Sequence, residues 1–194
     1  IVKPLKIEWI CQLRPTKDLD RETLQKLFDS GLRAVMWGVE SGSNRVLELI
    51  KKGTKVEEVK VILRDANNVG IKNILFIMFG FPTETEAEFL DTINFLNENK
   101  EYIDLILASV FGLQKGSPVY KNPEEYGITN IIEKKRTILD EKISYEVSSG
   151  LSQMQAEKLW RKYRKRVEKL NKYPKAMNFF REHIMFTEIE DKKN

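Results

Sequence analysis

Cysteine and histidine are almost missing from this 194-residue chain: each occurs once, as Cys11 and His183. A single cysteine excludes a disulfide within the chain and fits a reducing compartment, so we expect a cytoplasmic protein. One thiol and one imidazole also cannot build a thiolate or imidazole metal cage by themselves. We therefore predict no metal site made by this chain alone, and we interpret Cys11, inside an apolar run, as a small core residue.

Long apolar runs are missing as well. The longest one covers residues 74–79, far below the roughly 20 residues that a membrane-spanning helix needs. We therefore expect no membrane partner, and the run fits a buried strand. No secretory signal peptide is recognisable, and the first residue is isoleucine rather than methionine. From this we expect the chain to be part of a longer polypeptide.

The composition that is present is typical of a globular domain, with 41% hydrophobic and 32% charged residues, a net charge of +4 and a pI near 9.0. This mild basic excess permits a phosphate-bearing partner without requiring one. In one stretch only Glu168 opposes nine basic residues, which are Lys158, Arg161, Lys162, Arg164, Lys165, Arg166, Lys169, Lys172 and Lys175. We expect there either a solvated helix face or a surface for nucleic acid or an acidic partner.

Strand and helix patterns alternate along the first part of the chain. Apolar segments at residues 7–13, 32–39, 73–79 and 104–113 are typical of strands. Between them apolar residues recur at helical spacing, for example at Val56, Val59, Leu63 and Ala66. This order predicts βαβ units, and therefore an α/β fold with a parallel sheet covered by helices. Four such strands are half of a closed (β/α)8 barrel.

Three helix starts carry a hydroxyl residue with an acidic or amide residue three positions later. They are Thr54 with Glu57, Thr85 with Glu88 and Ser152 with Gln155, and each predicts a capping box. The last one opens a long amphipathic helix that reaches about residue 170. We expect residues 121–194 to form a mainly helical extension, with one further strand at residues 138–147, and residues 1–120 to form the main α/β unit.

Polar residues and glycines gather where the predicted strands end. They are Arg14 after the first strand, Glu40, Ser41 and Gly42 after the second, Gly80 after the third, and Gln114, Gly116 and Ser117 after the fourth. In parallel α/β folds these strand ends share one rim, where ligands bind. Glu40 would accept hydrogen bonds from a ligand or only stabilise the next helix. Gly42 and Gly80 would expose backbone to a ligand or only allow a turn. Arg14 would bind a carboxylate or lie on the surface.

Two segments, GVESGSNRVLELIKKGTK and GIKNILFIMFGFPTETEAEFLDTINFL, together resemble the radical S-adenosylmethionine (radical SAM) superfamily. The resemblance covers about residues 7–120 and is closest to the branch with the cobalamin-binding enzymes and the tRNA methylthiotransferases. It implies a partial (β/α)6 barrel of which this chain supplies about strands three to six. It also implies S-adenosylmethionine as cofactor, a [4Fe–4S] cluster held by a CxxxCxxC loop and, in some members, cobalamin.

The resemblance assigns roles to the rim residues. Glu40 matches a position near the ribose or methionyl part of the cofactor, the Gly80 region a segment near the adenine, and Arg14 a carboxylate contact. Residues 110–113 match a strand backbone around the cofactor. One departure stands out: Cys11 is the only cysteine, so the cluster loop is missing from this chain. We therefore expect part of a radical SAM enzyme that is inactive alone and has its cluster ligands in the upstream polypeptide.

Three alternatives stay open at this point. The first is an RNA-modifying enzyme like the tRNA methylthiotransferases, in which the basic helix would meet RNA. The second is a cluster-free α/β domain that binds another ligand. The third is a barrel that serves only as a protein-interaction scaffold.

Overall fold

Strands and helices alternate through the chain, of which the computed structural model describes residues 6–132 and 143–185. The strands are β1 (Trp9–Leu13), β2 (Leu32–Glu40), β3 (Lys72–Phe79), β4 (Leu105–Val110), β5 (Ile128–Ile132) and β6 (Ser144–Val147). The α-helices are α1 (Arg21–Asp29), α2 (Asn44–Leu49), α3 (Val56–Asn68), α4 (Glu86–Glu98), α5 (Pro118–Lys121) and α6 (Gln153–Glu168). Short 3-10 turns occupy Lys100–Tyr102, Pro123–Tyr126, Lys175–Asn178 and Arg181–Met185.

The first four strands form one parallel sheet in the order β1-β2-β3-β4. This confirms the α/β fold that the alternation predicted, with boundaries that differ by a few residues. Strand β4 ends at Val110 rather than at residue 113. The Phe111 N–H still donates to the Phe79 carbonyl at 2.7 Å. Beyond it, Leu113 pairs in an isolated antiparallel bridge with Ile143.

Helices cover one face of this sheet and bury most of the apolar core. Val35, Trp37 and Phe79 are fully buried there. The Phe79 ring lies 4.4 Å from the Phe89 ring of α4 and 5.1 Å from the Trp160 ring of α6, measured between centroids. Burying one such side chain contributes about 1.5–3 kcal/mol. Helix α6 is therefore part of the same core as the sheet, and the division at residue 120 stays a prediction.

The opposite, inner face of the sheet is divided into a covered half and an open half. At the amino ends of the strands, Ala34, Ile74 and Leu105 are buried under Ile184 and neighbouring side chains, including Tyr173 and Met177. The segment after α6 also pairs with a backbone group of β4, because the Asn171 Oδ1 accepts a hydrogen bond from the Ile106 N–H at 2.7 Å. The carboxyl ends of the strands are left uncovered on this face.

The part of the chain after residue 120 contains a small sheet in addition to α6. Strands β5 and β6 pair antiparallel, with Ile131 opposite Tyr145. The extra strand predicted at 138–147 is present as Ser144–Val147, while residues 138–142 lie outside the described part of the chain. Strand β5 was not predicted, because its first three residues belong to the stretch 121–130, whose sequence favours turns. Helix α6 confirms the predicted long helix but ends at Glu168.

Two of the three predicted capping boxes are present. Ser152 with Gln155 begins α6, and Thr85 with Glu88 begins α4. The box predicted for Thr54 and Glu57 is wrong, because α3 begins one residue later. Lys55 is the N-cap of α3, and its N–H donates to Glu58 at 3.1 Å. The first helical N–H of α3, on Val56, donates instead to the Oδ1 of Asn44, 2.8 Å away.

Replacing Thr85 by alanine should lower the free energy of unfolding by about 1 kcal/mol, because the N-cap hydroxyl is lost. That hydroxyl accepts from the Glu88 N–H at 3.3 Å and donates to the Glu88 carboxylate at 2.8 Å. Urea denaturation measures the change. Thr85→Ser is the matched control, since it keeps the hydroxyl on this exposed residue and should change stability little. Equal losses in both variants would assign the effect to the methyl group instead of the cap.

Candidate ligand-binding cleft

The open half of the inner face forms a cleft of about 420 Å³ at the carboxyl ends of the strands. Alternate residues of β3 and β4, among them Phe76, Met78, Leu107 and Ser109, face it, because side chains alternate between the faces of a sheet. The lining residues are Gln12, Glu40, Phe76, Ile77, Met78, Leu107, Ser109, Val110, Phe111, Gly112, Gln114, Ser117 and Val119. Glu40 is the one ionisable side chain in this lining, which otherwise combines uncharged polar and apolar side chains.

An irregular strand end directs Glu40 toward the cleft. The pairing of β2 with β3 is regular up to Gly38 opposite Phe76 and then shifts, so that Glu40 lies opposite Ile77. Glu40 also has a positive φ of 71°, a backbone conformation that non-glycine residues rarely adopt. Bulges next to binding sites commonly re-aim a side chain in this way. Holding such a conformation costs about 1–3 kcal/mol, which is typical of functional positions.

Lys52 fixes one oxygen of the Glu40 carboxylate. Its Nζ lies 3.1 Å from the Glu40 Oε1, and the two side chains are only 13% and 27% exposed. Gly38 makes room for the pair, since a Cβ at residue 38 would lie 2.9 Å from the Lys52 Nζ and 3.2 Å from the Glu40 Oε1. Within the described part of the chain, the second carboxylate oxygen of Glu40 has no hydrogen-bond partner, so it is available to a ligand.

Ser41 and Gly42 lie against α4 instead of lining the cleft. Ser41 is 1% exposed, and its hydroxyl lies 3.2 Å from the hydroxyl of Thr92. The Gly42 N–H donates to the same Thr92 hydroxyl at 2.9 Å. A Cβ at residue 42 would lie 2.8 Å from the Phe95 Cβ, so glycine is needed for packing. The geometry therefore gives both residues a structural task, and their role as cofactor ligands stays a prediction.

Gly80 and Arg14 are also outside the cleft lining. Gly80 is buried at the end of β3 with a φ of +70°, and a Cβ there would lie 2.5 Å from the Cβ of Ala156 in α6. Arg14 is exposed, and it forms no ion pair with the residues that the structure describes. Of the five residues predicted to bind the cofactor, the structure thus brings only Glu40 into the cleft, and the ligand roles of the other four are not supported by its geometry. Gln114 and Ser117, predicted at the same rim, also line the cleft.

A buried carboxyl holds the loop that follows β3. Glu84 is 0% exposed, and one of its oxygens accepts a hydrogen bond from the Gly80 N–H. The other oxygen has no partner in the described ranges 6–132 and 143–185. Burial raises the pKa of Glu84 to about 7. The hydrogen bond from the Gly80 N–H lowers this pKa, the negative charge of Glu88 raises it, and the positive charge of Arg45 lowers it. The hydrogen bonds from Arg45 hold the pKa of Glu88 at about 2.

Sequence reasoning missed three residues that shape the cleft: Gln12, Lys52 and Ser109. Gln12 and Ser109 are exposed polar residues within apolar strands and line the cleft. Their position in the two-residue alternation of β1 and β4 could have identified them. Lys52 could not have been found this way, because its contact with Glu40 depends on the bend between β2 and α2.

The described residues contain no group of three or more potential metal ligands among histidine, cysteine, aspartate and glutamate. Cys11 is half-buried and packs against the helix-covered core, where burial raises the pKa of its thiol. A thiol in this setting is a poor metal ligand, because the thiolate is the binding form. A cluster that needs three thiolates therefore does not fit this chain. In the same described ranges, each helix is too short or too polar to cross a membrane.

Comparison with known proteins confirms the resemblance predicted from the sequence. Residues 5–96 match the model of the Radical SAM superfamily. The tRNA-2-methylthio-N(6)-dimethylallyladenosine synthase of Buchnera aphidicola is 33% identical over 84 residues, which are 41% of this chain and 18% of that protein. The chain spans about a fifth to a quarter of the length of the curated relatives it matches.

Solved structures share the fold at low sequence identity. Coproporphyrinogen III oxidase from Escherichia coli, a radical SAM enzyme, superimposes with a TM-score of 0.59 at 14% identity, covering 84% of this chain and 32% of the enzyme. A radical S-adenosylmethionine methyltransferase from Kitasatospora setae, with cobalamin and a [4Fe–4S] cluster bound, gives a TM-score of 0.52 at 18% identity, covering 77% and 29%. These matches confirm a partial barrel as the fold.

Proposed function

We propose that the cleft of this chain, whose residues 5–96 match the model of the Radical SAM superfamily, binds S-adenosylmethionine. The observation that carries the proposal is the placement of Glu40. Its carboxylate lies at the carboxyl ends of parallel strands, where ligands of this kind of fold bind, and has one oxygen without a partner among the described residues. The cleft of about 420 Å³ is within the range of small-molecule sites, which is about 300–1,000 Å³.

The chemistry of the lining suits the parts of this cofactor. A carboxylate accepts hydrogen bonds from ribose hydroxyls or from an ammonium group, and a charged acceptor makes the stronger bonds. Phe76 and Met78 offer an apolar wall for a planar base, and Gln12 and Ser109 offer polar edges. When bound and reductively cleaved, S-adenosylmethionine supplies a carbon-centred radical for the reaction. The residues of this chain would bind and orient the cofactor, and the Lys52 contact would hold the Glu40 carboxylate in position.

The single cysteine of this chain cannot supply the three thiolates that a [4Fe–4S] cluster needs. We propose that its thiolates come from polypeptide outside these 194 residues, and that this chain alone does not cleave the cofactor. Cobalamin also stays a prediction, since a shared fold at 18% identity does not transfer a ligand.

A second candidate is a tRNA-modifying enzyme of the methylthiotransferase kind. It is favoured by a relative that is named as a tRNA-2-methylthio-N(6)-dimethylallyladenosine synthase and is 33% identical over its match. Both candidates use the same cleft and the same cofactor, so they differ in the substrate. A cluster-free binding domain or an interaction scaffold would gain support only if the complete protein failed to bind S-adenosylmethionine.

Replacing Glu40 by alanine in the complete, cluster-containing protein should weaken S-adenosylmethionine binding by about 2 kcal/mol, or about thirtyfold in Kd, because a charged hydrogen-bond partner is lost. Isothermal titration calorimetry measures it. Glu40→Gln keeps the shape of the side chain and isolates the effect of the charge. Glu48→Ala is the matched control, since it removes an exposed carboxylate of α2 that is not in the cleft lining. An unchanged Kd for Glu40→Ala would remove Glu40 from the site.

A further inference from the structure

The positive charge of the chain is concentrated on α6. Between residues 153 and 168 the helix carries six basic and two acidic residues, a net charge of +4 that equals the net charge of the whole chain. The rest of the chain is therefore neutral in sum. Such an asymmetry points to a local electrostatic function instead of a general contribution to solubility.

The basic residues of α6 are arranged along the side that faces away from the core. Ala156 and Val167 are buried against the sheet. On the opposite side Lys158, Arg161, Lys162 and Lys165 of α6, together with Lys169 at its C-cap, are all exposed and follow one another at helical spacing. We call these five residues the basic stripe. At 1.5 Å per residue the stripe is about 16 Å long.

Most of the stripe has no internal counter-charge. Arg161 lies 3.8 Å from Glu157, a distant and exposed ion pair. Lys158, Lys162, Lys165 and Lys169 form no ion pair with any residue of the described part of the chain. Like charges three or four residues apart destabilise a helix by a few tenths of a kcal/mol per pair, about 0.2–0.5. The helix thus carries a repulsion that an external polyanion would relieve.

The stripe does not have the composition of a membrane or protein contact. Membrane-surface helices insert an apolar face, but the apolar face of α6 is used inside the fold, where Trp160 stacks on Phe79. The cores of protein interfaces are rich in aromatic residues and poor in lysine. In the described range of α6, Met154 is the one exposed large apolar residue. Exposed cations without apolar neighbours are sufficient to bind phosphate groups.

The names of two relatives favour RNA over duplex DNA as the partner, because both enzymes are named for a reaction on tRNA. A-form RNA offers a wide and shallow minor groove with phosphates and 2′-hydroxyls at its surface. The stripe also leads to the rim of the barrel, because Ala156, just before Lys158, contacts Gly80 at the end of β3.

We propose that the basic stripe of α6 binds the backbone of an RNA helix and guides it along the outer wall of the barrel to the rim of the cleft. The contacts are to phosphates, so binding is largely independent of base sequence. This inference does not require the proposed cofactor site, since RNA binding and S-adenosylmethionine binding are measured separately on the same protein.

The test compares two triple variants of the complete protein that remove equal charge. The stripe variant is Lys158→Gln, Lys162→Gln and Lys165→Gln. The control variant is Lys17→Gln, Lys100→Gln and Lys121→Gln, three exposed lysines elsewhere on the surface. The probe is a fluorescently labelled, unmodified tRNA transcript, titrated by anisotropy between 50 and 200 mM KCl. A DNA duplex of equal length, vesicles with anionic phosphatidylserine and polyglutamate are titrated in parallel.

We expect the stripe variant to bind the transcript at least tenfold more weakly, and the control variant to stay within about twofold. The slope of log K against log[KCl] should change from about −4 to about −1.5, since each of the three lost phosphate contacts contributes about −0.7 to −0.9. The stripe variant should bind S-adenosylmethionine as the wild type does. The proposal would be overturned if the RNA affinity were unchanged or if both variants lost it equally. It would also be overturned if DNA, vesicles or polyglutamate bound more tightly than the transcript in a way that depends on the stripe.

Discussion

Replacing Gly80 by alanine should lower the free energy of unfolding by about 3 kcal/mol. Gly80 has a φ of +70°, and an L-residue in that region costs about 1–2 kcal/mol. The new methyl group would also lie 2.5 Å from the Cβ of Ala156, which forces α6 away from the end of β3. Overpacking of this kind costs about 1–3 kcal/mol. Urea denaturation at neutral pH measures the loss.

Two further variants separate the causes. Gly112→Ala is the matched control, because a Cβ there meets nothing within 4 Å and its φ is not positive. It should change stability by less than about 0.5 kcal/mol. Adding Ala156→Gly to Gly80→Ala removes the clash, so the double variant should recover most of the packing loss, apart from about 1 kcal/mol for glycine in a helix. A loss below about 1 kcal/mol for Gly80→Ala would show that α6 does not press on this strand end.

The stability of the protein should fall as the pH rises from 4.5 to 8, because of Glu84. Burial raises the pKa of this carboxyl from 4.5 to about 7. Between these values the folded chain keeps a proton that the unfolded chain has lost. The stabilising contribution is therefore complete below pH 4.5 and is lost as the pH rises through 7. At 1.36 kcal/mol per unit of pKa, the loss is about 3 kcal/mol.

Glu84→Gln is the variant that isolates this effect, since the amide keeps the shape and can still accept the hydrogen bond from the Gly80 N–H. Denaturation of both proteins at pH 5 and pH 8 should give a stability difference that changes by about 3 kcal/mol. Glu88 does not interfere, because its pKa of about 2 places its own transition below pH 4.5. A difference that is the same at both pH values would mean that Glu84 is ionised in the folded protein throughout.

The features that were predictable from sequence are those encoded by neighbouring residues. The strand and helix order follows from local periodicity, and the start of α4 follows from Thr85 and Glu88. The start of α3 was misplaced because its first N–H bonds to Asn44, a residue of the preceding helix that comes close only in the folded chain. A local pattern contains no information on such a partner.

The same limit applies to the cleft. Glu40 was predictable, because a carboxylate at the end of an apolar strand is unusual. The Lys52 contact and the space left by Gly38 depend on how the bulge turns the strand. The sequence around Ser41 does not show whether these residues face a ligand or α4. The position of the rim was therefore predictable, whereas the direction in which each of its side chains points could be seen only in the three-dimensional structure.

The covered half of the inner face has a consequence for how the protein is made. Ala34, Ile74 and Leu105 are buried by Tyr173 and Ile184, which leave the ribosome long after the strands. Until then, an apolar surface of the sheet faces water on every nascent chain, and synthesis runs at about 5–20 residues per second. The sheet is thus exposed to chaperones and to unwanted association for seconds, until this later segment has been made and covers it.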